Sequence, residues 1–287
     1  MMGVIICRPG EDVYTLQESG QALTRIPCPF SWPCVPCSSE ECLAFCCRQS
    51  RECMCVSKSD GRLISRMPAV PGVCEMCFSA CGRFLYQLSS EADCVHTRCA
   101  VTGDLLYAAP AGVFPRCMKL SRSGRLLLCA GGASTNTLLL SVPDLTEYAA
   151  VLTPHPCFAA DFWMDGLVLV CAAEEGDIQS IVYTFIPKSQ RMQEVLRFPG
   201  PPGNVCVCDA GRCAILSARC GLIKTDLQTG RIVWKRAQCA LAMKLECRGR
   251  QTLISDALDG GVVLLNHCRP WQQEQLDAFA EAQACFL

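Results

Sequence analysis

A chain of 287 residues and 31.2 kDa is about twice a typical domain, although all-β propellers and barrels of this size form single units. A hydrophobic content of 51% with 18% charged residues excludes a disordered tail or a coiled-coil rod. A formal net charge of −1 excludes a strongly basic nucleic-acid sleeve, because phosphate binding needs concentrated Lys and Arg. No nucleic-acid partner is expected.

The opening MMGVIICRPGED has only a short apolar run before Arg8, Glu11 and Asp12, so it does not read as a secretory signal. No segment approaches the roughly 18 uninterrupted apolar residues that span a bilayer. The 26 cysteines would mark a disulfide scaffold in a short secreted chain. A chain this long can instead bury a large core without staples. The expectation is a cytoplasmic monomer with reduced thiols, in which most cysteines act as small buried hydrophobes.

Strand-like segments begin at once. Residues 3–27 supply a partial unit that lacks its innermost strand. From there a repeat of about 42 residues takes over, marked by Gly82-Arg83, Gly124-Arg125, Gly166-Leu167, Gly211-Arg212 and Gly249-Arg250. Each glycine precedes a short apolar run such as RLLLCA or LVLVCA, too short for a helix and bounded by turns, as buried strands are. Gly20, Gly61, Gly103 and Gly230 mark a second turn of the same period.

Two such turns per period imply about four strands per unit, the blade of a β-propeller. The units run over residues 32–71, 72–113, 114–155, 156–202, 203–238 and 239 to the end. The fold class is therefore all-β, a propeller treated as one domain over residues 1–287. Seven blades are predicted, with six as the alternative. The closing ACFL resembles the innermost-strand segment PCFAADF at 156–162, so the tail is expected to complete the first blade. An amphipathic helix over 272–285 is the competing reading, since Gln, Glu and Ala favour helix there.

The cysteines divide two ways. Cys34-x-x-Cys37 and Cys74-x-x-Cys77 have the spacing of zinc knuckles. At this cysteine density about two such pairs arise by chance, so no metal is assigned and Cys34, Cys37, Cys74 and Cys77 stay a secondary candidate. The repeat, by contrast, aligns Cys46, Cys129 and Cys171 on the second strands of three units. Thiols on separate blades cannot meet at one metal, but they can fill one recurring small, apolar slot.

The segment Thr225-Asp226-Leu227-Gln228-Thr229-Gly230-Arg231-Ile232-Val233-Trp234-Lys235 is similar to the D-x-x-T-G-x-x-x-W repeat of quinoprotein-like propellers. The resemblance implies that Thr-Gly makes a hairpin turn and that Trp packs between neighbouring blades. Gly61-Arg62 and Thr102-Gly103 keep the turn without the Trp, and the signatures of WD repeats are absent. As a whole the chain resembles the broad superfamily of quinoprotein-like and YVTN-type propellers. That resemblance implies architecture and leaves function to the site.

A catalytic constellation does not emerge. His96, His155 and His267 fall on a third strand, in a loop between blades, and on another third strand, without evident acid–base partners. No P-loop, G-x-S-x-G elbow or H-E-x-x-H occurs. One face, however, collects the Pro-rich connections 27–33, 68–71, 110–115, 154–156 and 199–202 together with many acidic residues. Proline fixes φ and lowers the ordering cost of binding. The opposite face collects Arg62, Arg83, Arg125, Arg212, Arg231 and Arg250 beside the turn glycines.

The expected function is that of a non-catalytic interaction module without a cofactor, holding a protein or peptide partner, with a basic segment favoured. Trp32, Phe114, Glu174, Glu175, Asp177 and Asp259 are its candidate contacts, with Phe30 and Phe198 as further apolar anchors. Two other readings stay open: a lactonase-like enzyme using an axial channel, and a metal or thiol-redox protein using the Cys-rich first half.

Overall fold

The computed structural model describes residues 3–7, 13–17, 22–26, 34–47, 51–132, 135–164, 166–173, 177–237, 242, 244–256, 261–266, 268, 273–277 and 283–286. Apart from one 3-10 turn at Asp209–Gly211, their regular structure is strand, as the short apolar runs between glycine turns predict. The strands form seven four-stranded sheets.

The first sheet takes Gln283–Phe286, Gly3–Cys7, Val13–Gln17 and Ala22–Ile26 in that order. The others follow the chain. The second runs from Cys34–Ser38 to Leu63–Pro68, the third from Val73–Phe78 to Leu105–Pro110, and the fourth from Cys117–Leu120 to Glu147–Leu152. The fifth runs from Cys157–Trp163 to Arg191–Pro199, the sixth from Pro202–Cys208 to Ile232–Arg236, and the seventh from Lys244–Arg248 to Gln273–Asp277. Repeated four-stranded meanders of this kind are propeller blades.

The tail behaves as its sequence predicts. Gln283–Phe286 pairs antiparallel with Gly3–Cys7, placing Cys285 opposite Ile5. The helical alternative for residues 272–285 gives way to two strands, Gln273–Asp277 and Gln283–Phe286.

Contacts along the chain define two compact units, residues 1–129 with 138–150 and 281–287, and residues 130–137 with 151–280. In the first, the leading strands Gln283–Phe286, Cys34–Ser38, Val73–Phe78 and Cys117–Leu120 lie side by side in succession. In the second, Cys157–Trp163, Pro202–Cys208 and Lys244–Arg248 do the same.

Burial explains the composition of each strand. Several second strands are covered on both faces and read as apolar runs, as in Gly166–Ala173, where every residue is buried. Outer strands are open, as in Leu105–Pro110, and carry the mixed residues. Facing sheets share cores. Val35, Cys46, Cys53, Met67, Met76 and Leu85 join the second and third sheets. Ala159, Val168, Val205, Leu216 and Ile223 join the fifth and sixth. Cys46, Cys129 and Cys171 are each fully buried on second strands, the shared packing slot that the repeat predicts.

The D-x-x-T-G turn also forms. The Asp226 carboxylate accepts hydrogen bonds from the Gln228 and Thr229 amides (3.1 and 3.0 Å) and from the Thr229 hydroxyl (3.0 Å). Gly230 donates its amide to the Asp226 carbonyl at 2.9 Å. Its φ of +70° and the Val195 carbonyl, which a Cβ would strike, together require glycine there. Trp234 packs against the core shared by the sixth and seventh sheets, beside residues such as Leu245 and Ile254.

Candidate interaction cleft

Where the Pro-rich loop 199–201 meets the segment leading into Gln179–Ile186, the second unit opens into a cleft of about 540 Å³. Asp177, Ile178, Pro199, Gly200, Pro201, Arg219 and Cys220 line it. The cleft is held in shape by backbone. Gly200 donates its amide to the Ile178 carbonyl at 2.8 Å, and the Ser180 hydroxyl donates to the Gly200 carbonyl at 2.7 Å.

The far wall is a two-residue hairpin. Ala218 and Gly221 pair across Arg219 and Cys220, turning Cys213–Ala218 into Gly221–Asp226. Gly221 has φ +106°, and a Cβ there would run into the Arg236 carbonyl, so the turn has no room for another residue type. Behind it the Ser217 hydroxyl accepts the Asn204 amide at 2.7 Å, pinning the start of the Pro202–Cys208 strand. Pro199 and Pro201 line the cleft between these bonds, and each fixes its own backbone φ.

Its chemistry is mixed. Asp177 and Arg219 are exposed, and among the described residues neither forms an ion pair. Ile178 is 44% exposed, an apolar side chain held open to solvent by its place in the loop. Cys220 is an exposed free thiol. The cleft therefore offers one anion, one cation and an apolar contact over a few residues.

Of the contacts expected from sequence, Asp177 belongs to this cleft. Phe114 lies in the other unit, in the connection 111–116, where it is 57% exposed. Its φ of +50° is held by the Asp93 carboxylate, which accepts the Phe114 amide at 2.7 Å. Trp32, Glu174, Glu175 and Asp259 lie outside the described residues, as does Phe30.

Phe198 corrects the expectation. It is only 4% exposed and packs into the core of the fifth and sixth sheets. A register shift between Val182 and Tyr183 resets the alternation of the outer strand and places Phe198 opposite the buried Ser180. The sequence reading missed Ile178, Arg219 and Cys220. The dipeptide Arg219-Cys220 before Gly221 was the available signal, a hairpin turn at the tip of a second strand.

The described knuckle cysteine side chains do not share one core, and that of Cys34 lies outside the description. Cys37 is buried in the core of the second and third sheets, whereas Cys74 and Cys77 pack against that of the third and fourth. Among the described residues, no three His, Cys, Asp or Glu side chains come together to hold a metal ion. His96 is half-buried on its third strand, and burial lowers its basicity with Arg98 adding to the effect. His155 lies in the loop before Cys157–Trp163, and His267 is outside the described residues. The predicted basic face is partly neutralised in place, since Arg212 is 3.0 Å from Asp226 and Arg62 is 3.9 Å from Asp60.

No protein-family profile and no curated protein matches the chain. Among solved structures, the chain is similar to a hydrazine synthase of Kuenenia stuttgartiensis, with a TM-score of 0.74 at 9% identity over 90% of each chain. It is also similar to the dihydro-heme d1 dehydrogenase NirN in complex with DHE, with a TM-score of 0.67 at 13% identity over 99% of this chain and 74% of that one. These likenesses show the propeller fold. At such identities they carry nothing of either activity. Among the described residues no helix is long and apolar enough to cross a membrane.

Proposed function

We propose that this propeller is a protein-interaction module whose cleft around Asp177 and Arg219 receives an extended partner segment. The observation that carries the reading is the cleft itself. It is formed by the Pro-rich and acidic connections, it is stiffened by Pro199, Pro201 and the bonds through Gly200, and it presents opposite charges beside Ile178. A preformed trough loses little conformational freedom on binding, so modest contacts suffice for recognition. The segment it fits places an apolar side chain on Ile178 and Pro199, a basic one at Asp177 and an acidic one or a carboxyl terminus at Arg219. The Asp226 turn and the seating of Trp234 support the quinoprotein-like grouping for the sixth sheet. A cytoplasmic, monomeric state agrees with this reading and is part of the proposal.

The test is capture from the native cell with immobilised wild-type protein and the variants Asp177→Lys and Arg219→Glu. Each reversal is expected to weaken capture of the same partner roughly tenfold at low salt, with the difference shrinking at high salt. Equal capture by all three at both salt levels overturns the assignment.

A second reading, a small-molecule enzyme, stays open because the propeller fold hosts enzymes as well as binding modules, two of the similar solved structures being named a synthase and a dehydrogenase. Turnover of lactones or related small molecules that survives both cleft reversals would support it against the interaction module.

A further inference from the structure

Cysteines accumulate where the sixth and seventh sheets meet. Cys206 and Cys208 stand on Pro202–Cys208, and Cys247 stands on the neighbouring leading strand Lys244–Arg248. The sulfurs of Cys206 and Cys247 are 2.8 Å apart. Carbon atoms in ordinary contact stay about 3.5–4.0 Å apart, and sulfur is larger, whereas a disulfide bond is about 2.05 Å. The pair thus lies inside nonbonded distance. The surroundings are apolar, built of Ile215, Leu245, Ile254 and Leu265.

We propose that Cys206 and Cys247 are a thiol pair that a hydroperoxide converts to a disulfide, fastening the sixth sheet to the seventh. Cys247 reacts first, because the residue as a whole keeps some solvent exposure while Cys206 is 3% exposed, although the Cys247 sulfur itself is largely covered. Its sulfur attacks the peroxide; the O–O bond breaks, one molecule of water or alcohol leaves with a proton, and Cys247 becomes a sulfenic acid. Cys206 then attacks that sulfur, the S–O bond breaks and a second water leaves as the S–S bond forms. Two thiols lose two electrons and the peroxide gains them.

The neighbourhood sets the pace and the specificity. Burial pushes the Cys247 thiol up, with the adjoining Cys206 thiol adding to it, so little thiolate exists at neutral pH. Oxidation is therefore slow at pH 7 and quickens as the solution becomes alkaline. The Thr252 hydroxyl, 3.2 Å from the Cys247 sulfur, steadies that side chain. Cys208 adjoins Cys247 as well, and its thiol is pushed up first by that neighbour and then by burial.

The experiment treats reduced, folded full-length chain with hydrogen peroxide, alkylates remaining thiols and identifies cross-linked peptides by mass spectrometry without reduction. The expected product joins Cys206 to Cys247 with loss of two hydrogens, forms faster at pH 9 than at pH 7, and is reversed by dithiothreitol. The bridge closes a long loop, so melting is expected to rise by roughly 4–10 °C. Cys206→Ser and Cys247→Ser should each abolish both changes, and Cys208→Ser should keep them. Alkylation of both sulfurs after peroxide, or a wild-type product linking Cys208 to Cys247 instead, overturns the assignment. The mass reading on the wild-type chain decides the matter even where a variant misfolds.

Discussion

The Asp161 carboxylate on the leading strand of the fifth sheet accepts the Val207 backbone amide of the sixth at 2.8 Å, while its other oxygen accepts the Phe162 amide at 2.8 Å. Glu75 does the same for the Met118 amide between the third and fourth sheets and lies 3.8 Å from the Lys119 ammonium. Leading strands expose amides that no strand of their own sheet satisfies. An acid from the preceding sheet is the recurring answer, and a charged acceptor strengthens each bond.

Replacing Asp161 by Ala is therefore expected to cost about 1.5–3 kcal/mol, because the Val207 amide is left without its charged acceptor. Asp161→Asn should cost less, since its carbonyl still accepts one amide. Urea unfolding of the three proteins checks the order, and equal midpoints would contradict it.

The Asp226 turn makes stability depend on acid. Hydrogen bonds from Thr229 first, then the Arg212 guanidinium, hold the Asp226 carboxyl down to about 2. An unfolded Asp titrates near 3.9, so the contribution is complete above that pH and is lost as pH falls toward about 2. Asp226→Ala should lower melting at pH 7 and narrow its deficit against wild type between pH 4 and pH 2. Melting curves at these pH values read the effect directly.

Lys224 is buried with its ammonium 2.6 Å from the Asp209 carboxylate. Burial disfavours the charge, but Asp209 together with Cys208 and Cys213 outweighs it and holds the Lys224 pKa above its ordinary value. Because the folded pKa is raised, this stabilisation is present at neutral pH and is lost as pH rises through it. Asp209→Ala strands a buried cation and should cost about 2–4 kcal/mol, toward the lower end because Asp209 is partly exposed. Adding Lys224→Met should recover much of that loss. A double-mutant cycle from chemical denaturation measures the coupling.

The recurring thiol slot is a matter of volume. Cys171→Ala should change stability by about 1 kcal/mol or less, whereas Cys171→Leu should cost about 1–3 kcal/mol by overpacking a fully buried site. Thermal melting distinguishes the two, and the reverse order would remove the packing explanation.

The fold was legible because its signals are local. The turn glycines near 82, 124 and 166, the apolar runs after them and the Thr229-Gly230 hairpin each depend on a few neighbouring residues and recur at one period. The tail strand was legible for a related reason, since ACFL resembles the leading strand of another repeat. What joins one sheet to the next was not. Asp161 reaching Val207 and Cys206 touching Cys247 depend on register between strands 41 to 46 residues apart, which no periodicity of one strand encodes. The cleft falls between: Asp177 stood out as an acid in a loop, but Arg219 and Ile178 acquire meaning only beside Pro199 and Gly200. Phe198 misled because a one-residue register shift moved it from the loop side into the core.

The pairing of Gln283–Phe286 with Gly3–Cys7 has a consequence for biosynthesis. Gly3–Cys7 must wait for a partner made about 280 residues later in the chain before this hydrogen-bonding edge is filled. Later sheets can assemble in sequence while the first remains a docking template until Gln283–Phe286 has been made. A bulky insertion directly after Phe286 should hinder this closure more than the same insertion in an exposed hairpin such as Lys188–Gln190.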